Sequence, residues 1–378
     1  MTVTLDPKIL AAASSALRSI RDPANKIPVA GMYLVTPVDG AIEVTATDCD
    51  LELTLTIDGV ADFPPVCLPP YIVEAAAAMP AAGVKLTVDE RTAAFSSGRS
   101  RFAAPILPGA DFPRFRPGLQ GGADIAGRSL AGLLSACIRA VSPKGQDDRW
   151  WLEGVFVDTL DGRLCAAGTN GYRFQSFSIA APPGLDLPDG IIIPAKAAGE
   201  IIAMAGKAGD NPVRVEVGPG AIAVTTARGR LVSKLVENKY PPYRRVIPAA
   251  CGNAATFDAA EMVAALDRIL KIQDASVAEG AAKKSKSGTA IRIRPDGDSL
   301  VVEAAAWGEA VDAVRAEFEG EFPTFGVSGK YLHGTLGSMK DRGTETIRMD
   351  VAPGGGAPCR LESPTDEDFV AIVMPMRV

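Results

Sequence analysis

The chain has 378 residues, 47% hydrophobic and 22% charged, an ordinary composition for folded protein and enough length for two or three domains. A formal net charge of −6 excludes a protein that coats nucleic acid over its whole surface, but leaves room for a local basic face. The longest charge-free run, 12 residues as at Ile27–Val38, falls short of the roughly 20 that a membrane-spanning helix needs, so no membrane partner is expected. The N-terminus, Met1-Thr2-Val3-Thr4-Leu5-Asp6, carries neither a basic start nor an apolar signal core, and the expectation is a cytosolic protein. Cys49, Cys67, Cys137, Cys165, Cys251 and Cys359 lie far apart with no Cys-x-x-Cys, which suits buried reduced thiols better than zinc or disulfides.

In chain order, the Ala-rich segment Asp6 to Ile20 repeats Leu10, Leu17 and Ile20 at helical spacing and ends at Asp22-Pro23. Strand-like runs follow at Met32 to Val35 and Ala41 to Thr45, with the turn Asp39-Gly40 between them. Asp50 to Ile57 alternates as a half-buried strand does. Pro69-Pro70 opens a second Ala-rich helix that stops near Pro80, and strands follow at Val84 to Val88 and Ala93 to Ser97. The segment closes on Asp111-Phe112-Pro113-Arg114-Phe115.

That order recurs. A helix from Arg128 to Val141 precedes strands at Gly154 to Asp158, Arg163 to Ala167 and Phe174 to Ile179. Pro194 opens another helix ending near Gly206, and strands Val213 to Val217 and Ala221 to Thr225 lead to Tyr240-Pro241-Pro242-Tyr243. Thr169 holds the place in this copy that Thr47 holds in the first. A third copy has a helix from Asp258 to Lys271, strands Ala290 to Arg294 and Ser299 to Ala304, a helix near Lys330 to Met339 and terminal strands. The fold class is therefore α+β, as three tandem copies of a helix–strand domain at residues 1–122, 123–250 and 251–378. Ser276 to Gly288 interrupts the third copy and reads as an exposed loop.

The last ten residues form an apolar tail after the acidic run Asp366-Glu367-Asp368. Phe369 to Val373 reads as a final strand, and Pro375, which cannot donate to a ladder, belongs at its edge or beyond. Met374-Pro375-Met376 either finishes a core or lines a groove for partner peptides; composition leans to the first.

Little of this is catalytic. Asp48, Asp50 and Glu52 suggest a carboxylate metal site, but Asp50 and Glu52 take the outward positions of an alternating strand, and a solvated face is the expectation. His333 is the single histidine, so no triad or His-based metal site can be assembled around a second one. Gly218-Pro219-Gly220 and Gly354-Gly355-Gly356 lack the Gly-Lys-Ser/Thr ending of a phosphate loop and read as hairpin turns. No enzyme, cofactor or metal is expected. Basic residues mark the helices instead: Arg128 and Arg139 share a polar stripe, Lys196 and Lys207 flank the fourth helix, and Arg268 and Lys330 belong to the fifth and sixth. Together they suit a phosphate-facing lining, although any one of them is ordinary helix decoration.

The triplication, basic helices and tail resemble the bacterial sliding clamp family, the β subunit of DNA polymerase III. The resemblance rests on Ser97-Gly98-Arg99-Ser100-Arg101-Phe102, Leu107-Pro108-Gly109-Ala110-Asp111-Phe112-Pro113, Gly168-Thr169-Asn170-Gly171-Tyr172-Arg173-Phe174, Ser233-Lys234-Leu235-Val236, Tyr240-Pro241-Pro242-Tyr243-Arg244-Arg245-Val246-Ile247-Pro248 and Val373-Met374-Pro375-Met376-Arg377. It implies a head-to-tail homodimeric ring that encircles duplex DNA without reading its sequence. Such a ring tethers DNA polymerase, clamp loader and other partners for processive replication.

The resemblance also implies a groove between the second and third domains for partner peptides. The matching positions are Leu152, Thr169, Gly171, Tyr172, Arg173, Phe174, Pro241, Arg245, Val246, Ile372, Met374, Pro375, Met376 and Arg377, with Tyr331 at its edge. Arg21, Lys26, Gln146 and Arg149 match DNA-contacting loops, and Phe102 and Ile272 match the dimer seam. Where the family commonly has Asp-Gly-His-Arg-Leu, this chain has Asn170-Gly171-Tyr172-Arg173-Phe174, which enlarges the aromatic area and removes an imidazole. The altered groove, the extra loop and the acidic balance support an alternative: an accessory or decoy protein that binds clamp partners' peptides without encircling DNA.

Overall fold

The computed structural model describes residues 2–21, 27–79, 83–145, 148–278, 290–304 and 310–377. Asp6 caps the first helix, α1 (Pro7–Ile20), accepting from Lys8 N at 2.7 Å, while Pro7 takes the first turn, where a missing N–H costs nothing. Leu10, Ala13, Ser14, Leu17 and Ile20 recur every three to four residues and bury one face against α2 (Pro70–Ala77) and the sheet beneath. The same pairing recurs. α3 (Gly127–Ile138) lies beside α4 (Ala195–Ala208), where a methyl group on Gly206 would sit 3.8 Å from Ala131 Cβ. α5 (Ala259–Ala278) packs on α6 (Gly329–Asp341), which Ser328 caps. No helix among the described residues is long and apolar enough to cross a membrane.

The strands form antiparallel sheets that run past the sequence repeat. A four-stranded sheet runs Thr2–Leu5, Val84–Val88, Thr92–Ser97, Ser100–Pro105. A nine-stranded sheet contains the strands from Tyr33 to Leu68 and joins Leu51–Asp58 directly to Gly229–Lys234, a strand of the second copy. A thirteen-stranded sheet contains Gly154–Leu160, Arg163–Thr169 and Arg173–Ala180, and joins the last of these to Asp366–Val373 of the third copy. Two compact units result: Met1–Gly127 with Lys207–Leu235, and Arg128–Gly206 with Val236–Val378.

The repeat is visible at atomic detail. In the first copy Thr47 Oγ1 bonds Leu51 O at 3.0 Å and accepts Cys49 N, while Asp48 Oδ1 accepts the amides of Asp50 and Leu51. In the second, Thr169 Oγ1 bonds Arg173 O at 2.7 Å and accepts Gly171 N, while Asn170 Oδ1 accepts the amides of Tyr172 and Arg173. Both turns need a left-handed residue at the same place, Cys49 at φ +77° and Gly171 at φ +85°. Each turn leads into the strand that forms the seam to the next copy.

Three sequence expectations change. Glu52 is not on a solvated face: it is 3% exposed, with Arg114 Nε at 3.0 Å and Phe115 N at 3.1 Å on its carboxylate. Its strand buries Leu51, Glu52, Leu53 and Thr54 in succession because both faces are covered, which removes the alternation of a half-buried strand. Asp50 does remain exposed, paired to Lys234 at 2.7 Å. Second, α5 continues past Lys271 to Ala278, so Ser276 to Ala278, read as loop, are helix; residues 279–288 of that loop lie outside the described residues. Third, the terminal strand starts at Asp366, drawing the acidic run into the ladder, and Pro375–Met376 forms a separate edge strand.

Candidate functional site

The turn Thr169–Arg173 sets the site's geometry. Its side-chain hydrogen bonds fix the backbone so that Tyr172 projects outward, 60% exposed, while Phe174 turns into the core at 4%. Gly171 leaves space for a neighbour: a methyl group there would lie 2.9 Å from Arg149 Nη1. Arg149, matched above to a DNA-contacting loop, thus lies against this turn. The Tyr172 ring stacks on Tyr331 of α6 with centroids 6.3 Å apart and planes at 18°, and the Arg173 guanidinium lies 5.0 Å from the Tyr331 ring centroid.

An aromatic cluster supports the turn from below. Phe156, Phe174, Tyr243, Ile192 and Ile372 form one buried cluster with Tyr240, Trp151 and Ile247 against it. Phe156 and Tyr240 stack at 4.5 Å and 8°, and Phe174 and Tyr243 at 5.7 Å. The Tyr240-Pro-Pro-Tyr243 segment is pinned by Asp158, which accepts two bonds from Arg244 at 2.7 and 2.9 Å and one from the Tyr243 hydroxyl at 3.3 Å. Burial pushes the Tyr243 hydroxyl pKa up, and the Asp158 hydrogen bonds push that of Arg244 up. Asp158 and Arg244 were absent from the candidate residues. Arg244 stood in the quoted motif, but its partner lies 86 residues away, a separation no local pattern reveals.

The tail completes the site. Ile372 pairs opposite Phe174, Met374 N donates to Tyr172 O at 2.8 Å, and Pro375 pairs opposite Val327 at the outer edge of the sheet. The missing N–H of Pro375 is tolerated there. Met374 is 38% exposed, Pro375 and Met376 are half-buried, and Arg377 is exposed. Of the candidate groove residues, Leu152, Phe174 and Ile372 are fully buried and shape the site from within. Tyr172, Gly171, Pro241, Arg245, Val246 and Met374 are exposed, while Thr169, Arg173 and Tyr331 are partly covered.

Among the candidate DNA-binding residues, Arg128, Lys196 and Lys207 lie exposed on α3 and α4. Three others are ion-paired: Arg139 with Asp341, Arg268 with Asp312 and Lys330 with Asp274. Arg21 donates to Gly31 O at 3.3 Å; Lys26 and Gln146 lie outside the described residues. Phe102 is 42% exposed on the outermost strand of its sheet, and Ile272 is 47% exposed on α5.

Comparison with known proteins decides the family. The DNA polymerase III beta subunit N-terminal domain model matches residues 1–116, and the central domain model of the same subunit matches residues 129–242. The chain belongs to the beta sliding clamp family. The beta sliding clamp of Caulobacter vibrioides is 27% identical over 388 residues, covering all of both chains. That of Escherichia coli K12 is 25% identical and covers 93% of each. A crystal structure of the Caulobacter crescentus DNA polymerase sliding clamp superposes over 100% of both chains with a TM-score of 0.84 at 26% identity. As a member of this family the chain is a replication processivity factor.

Proposed function

We propose that the protein closes as a head-to-tail homodimer around duplex DNA and tethers DNA polymerase, clamp loader and other partners through a peptide groove. The groove runs over Tyr172, Arg173, Tyr331 and Met374, with Pro241, Arg245, Val246, Pro375, Met376 and Arg377 along it. One observation carries the groove: the tail pairs with Arg173–Ala180 up to Val373 and with Phe325–Ser328 from Pro375, and at the switch Met374 N bonds Tyr172 O, so two exposed residues meet there. Apolar anchors of a partner peptide would bury there, and the backbone would be met by Arg245 and Arg377.

For DNA, Arg21, Lys26, Arg128, Arg139, Gln146, Arg149, Lys196, Lys207, Arg268 and Lys330 would give weak, sequence-independent phosphate contacts, so residence time comes from topology. Phe102 and Ile272 would meet across the dimer seam. The domain boundaries proposed are 122/123 and 250/251, supported by matches of separate domain models to 1–116 and 129–242. The cytoplasm, where replicating DNA lies, is the proposed location. Loading onto nicked circular DNA followed by gel filtration tests the ring: the protein should co-elute with circles and be lost when they are linearised.

A second reading has one observation in its favour. Arg139, Arg268 and Lys330 are each matched by a carboxylate of the same chain, which lowers the positive charge open to phosphate. A groove-bearing accessory protein without ring closure would need no such charge. Light scattering separates the two, because a stable dimer supports the ring and a monomer supports the accessory protein.

A further inference from the structure

Arg173 is, among the described residues, a half-buried cation without a counter-charge. Among the described residues its side chain makes no hydrogen bond or ion pair, and its Nε is buried and unpartnered. Two carboxylates of the flanking helices are engaged elsewhere: Asp341 with Arg139 and Asp274 with Lys330. Burial draws the Arg173 pKa down; Tyr331 opposes that shift and the like charge of Arg139 adds to it. A guanidinium taken from water and left unpaired is costly, so such an arrangement marks a place where the missing anion arrives from outside.

The surroundings hold the guanidinium in place without satisfying it. Its plane has an aromatic neighbour in Tyr331, and Gly334 clears the helix surface, since a methyl group there would stand 2.9 Å from Arg173 Nη1. A glycine inside a helix costs about 1 kcal/mol relative to alanine, so the space it creates comes at a stability cost. Tyr172, stacked on the same Tyr331 ring, offers an exposed ring, and Met374 N is bonded to its carbonyl.

We propose that Arg173 is a carboxylate-reading residue of the groove, pairing with an acidic side chain or chain terminus of the partner peptide; this rests on the groove reading above. The planar fork suits a carboxylate, and the apolar flanks suit an anion carried beside apolar side chains, which describes a peptide better than a nucleic-acid backbone.

The test uses the full chain and fluorescein-labelled Gly-Leu-Ala-Phe, as the free acid and as the C-terminal amide, in fluorescence anisotropy. The acid should bind about tenfold tighter than the amide, the size of a charge-assisted hydrogen bond. Arg173→Gln should bring the two within about twofold, whereas Arg245→Gln should preserve the preference. Arg173→Lys keeps the charge but not the fork and should retain part of it, which covers the case of a poorly folded Arg173→Gln. Equal binding of acid and amide, still lost on removal of the tail, overturns the carboxylate site and leaves the groove standing. Binding of neither form overturns both. Displacement of the amide by inorganic phosphate as readily as of the acid also overturns the proposal, by making the effect nonspecific.

Discussion

Asp158, with 8% of its side chain exposed, receives both nitrogens of Arg244 and the Tyr243 hydroxyl, so one carboxylate fixes the segment that walls the site. Replacing it with alanine would leave the Arg244 guanidinium with only the Cys165 thiol and the Tyr243 ring, and the buried Tyr243 hydroxyl without its partner. Asp158→Ala should therefore cost about 2–4 kcal/mol, read as a lower urea midpoint at unchanged slope. Asp158→Asn should cost less, and an unchanged midpoint for the alanine variant would show that the network is not holding. Glu52 plays the corresponding part under Arg114, and the sequence misled there because a charged residue in an apparent alternation looks solvated. Only the second face of the sheet, covered by the distant segment Arg114–Phe115, makes burial possible. Acid sensitivity has its own residues. Hydrogen bonds from Arg163 to Asp368 and from Arg268 to Asp312 hold those carboxyls below their ordinary range. Groups whose folded pKa is depressed contribute stability above the unfolded value, near pH 4, and lose it as pH falls through the lower folded value. Urea midpoints should thus fall on acidification below about pH 4, and Arg163→Gln should remove part of that dependence; an identical slope in the variant would contradict the assignment.

At the level of elements, the helices were legible because their apolar residues repeat at helical spacing and proline marks three of their starts. The seams were not. Gly229–Lys234 against Leu51–Asp58, and Asp366–Val373 against Arg173–Ala180, join segments far apart in the chain, and no local pattern encodes which edges meet. The tail shows the same limit: its strand character could be read, but not the switch of partner at Met374. Pro375–Met376 is a two-residue edge strand and adds little to the fold. Deleting Met374 to Val378 should abolish binding of partner peptides while far-ultraviolet circular dichroism and solution mass stay as in the full chain. Peptide affinity that survives the deletion would place the groove elsewhere. Helix α6 carries Gly334 and Gly337 one turn apart, where added methyl groups would stand 2.9 Å from Arg173 Nη1 and 3.1 Å from Arg139 Nη1. That face was legible as glycine-bearing sequence but not as the bed of two guanidiniums, which come from another copy of the repeat.

For the whole molecule, three ordered copies, matched family models and shared fold make clamp action the central claim, and the charge arrangement makes it testable apart from peptide binding. Arg128 and Lys196 lie exposed on α3 and α4, and neither is among the charges that act on Arg173. Replacing both with Glu should weaken retention on DNA and flatten its salt dependence, while leaving peptide affinity within about twofold. Retention that ignores this double change would mean that neither residue faces the duplex. The charge pairs at Arg268 and Lys330 are surface contacts, weak enough for phosphate to displace the carboxylates. The most direct measurement is retention of labelled protein on nicked circular DNA before and after a single cut. Encirclement predicts slow loss from the circle and escape over the free ends within the dead time of the linear sample; equal loss from both forms would contradict it.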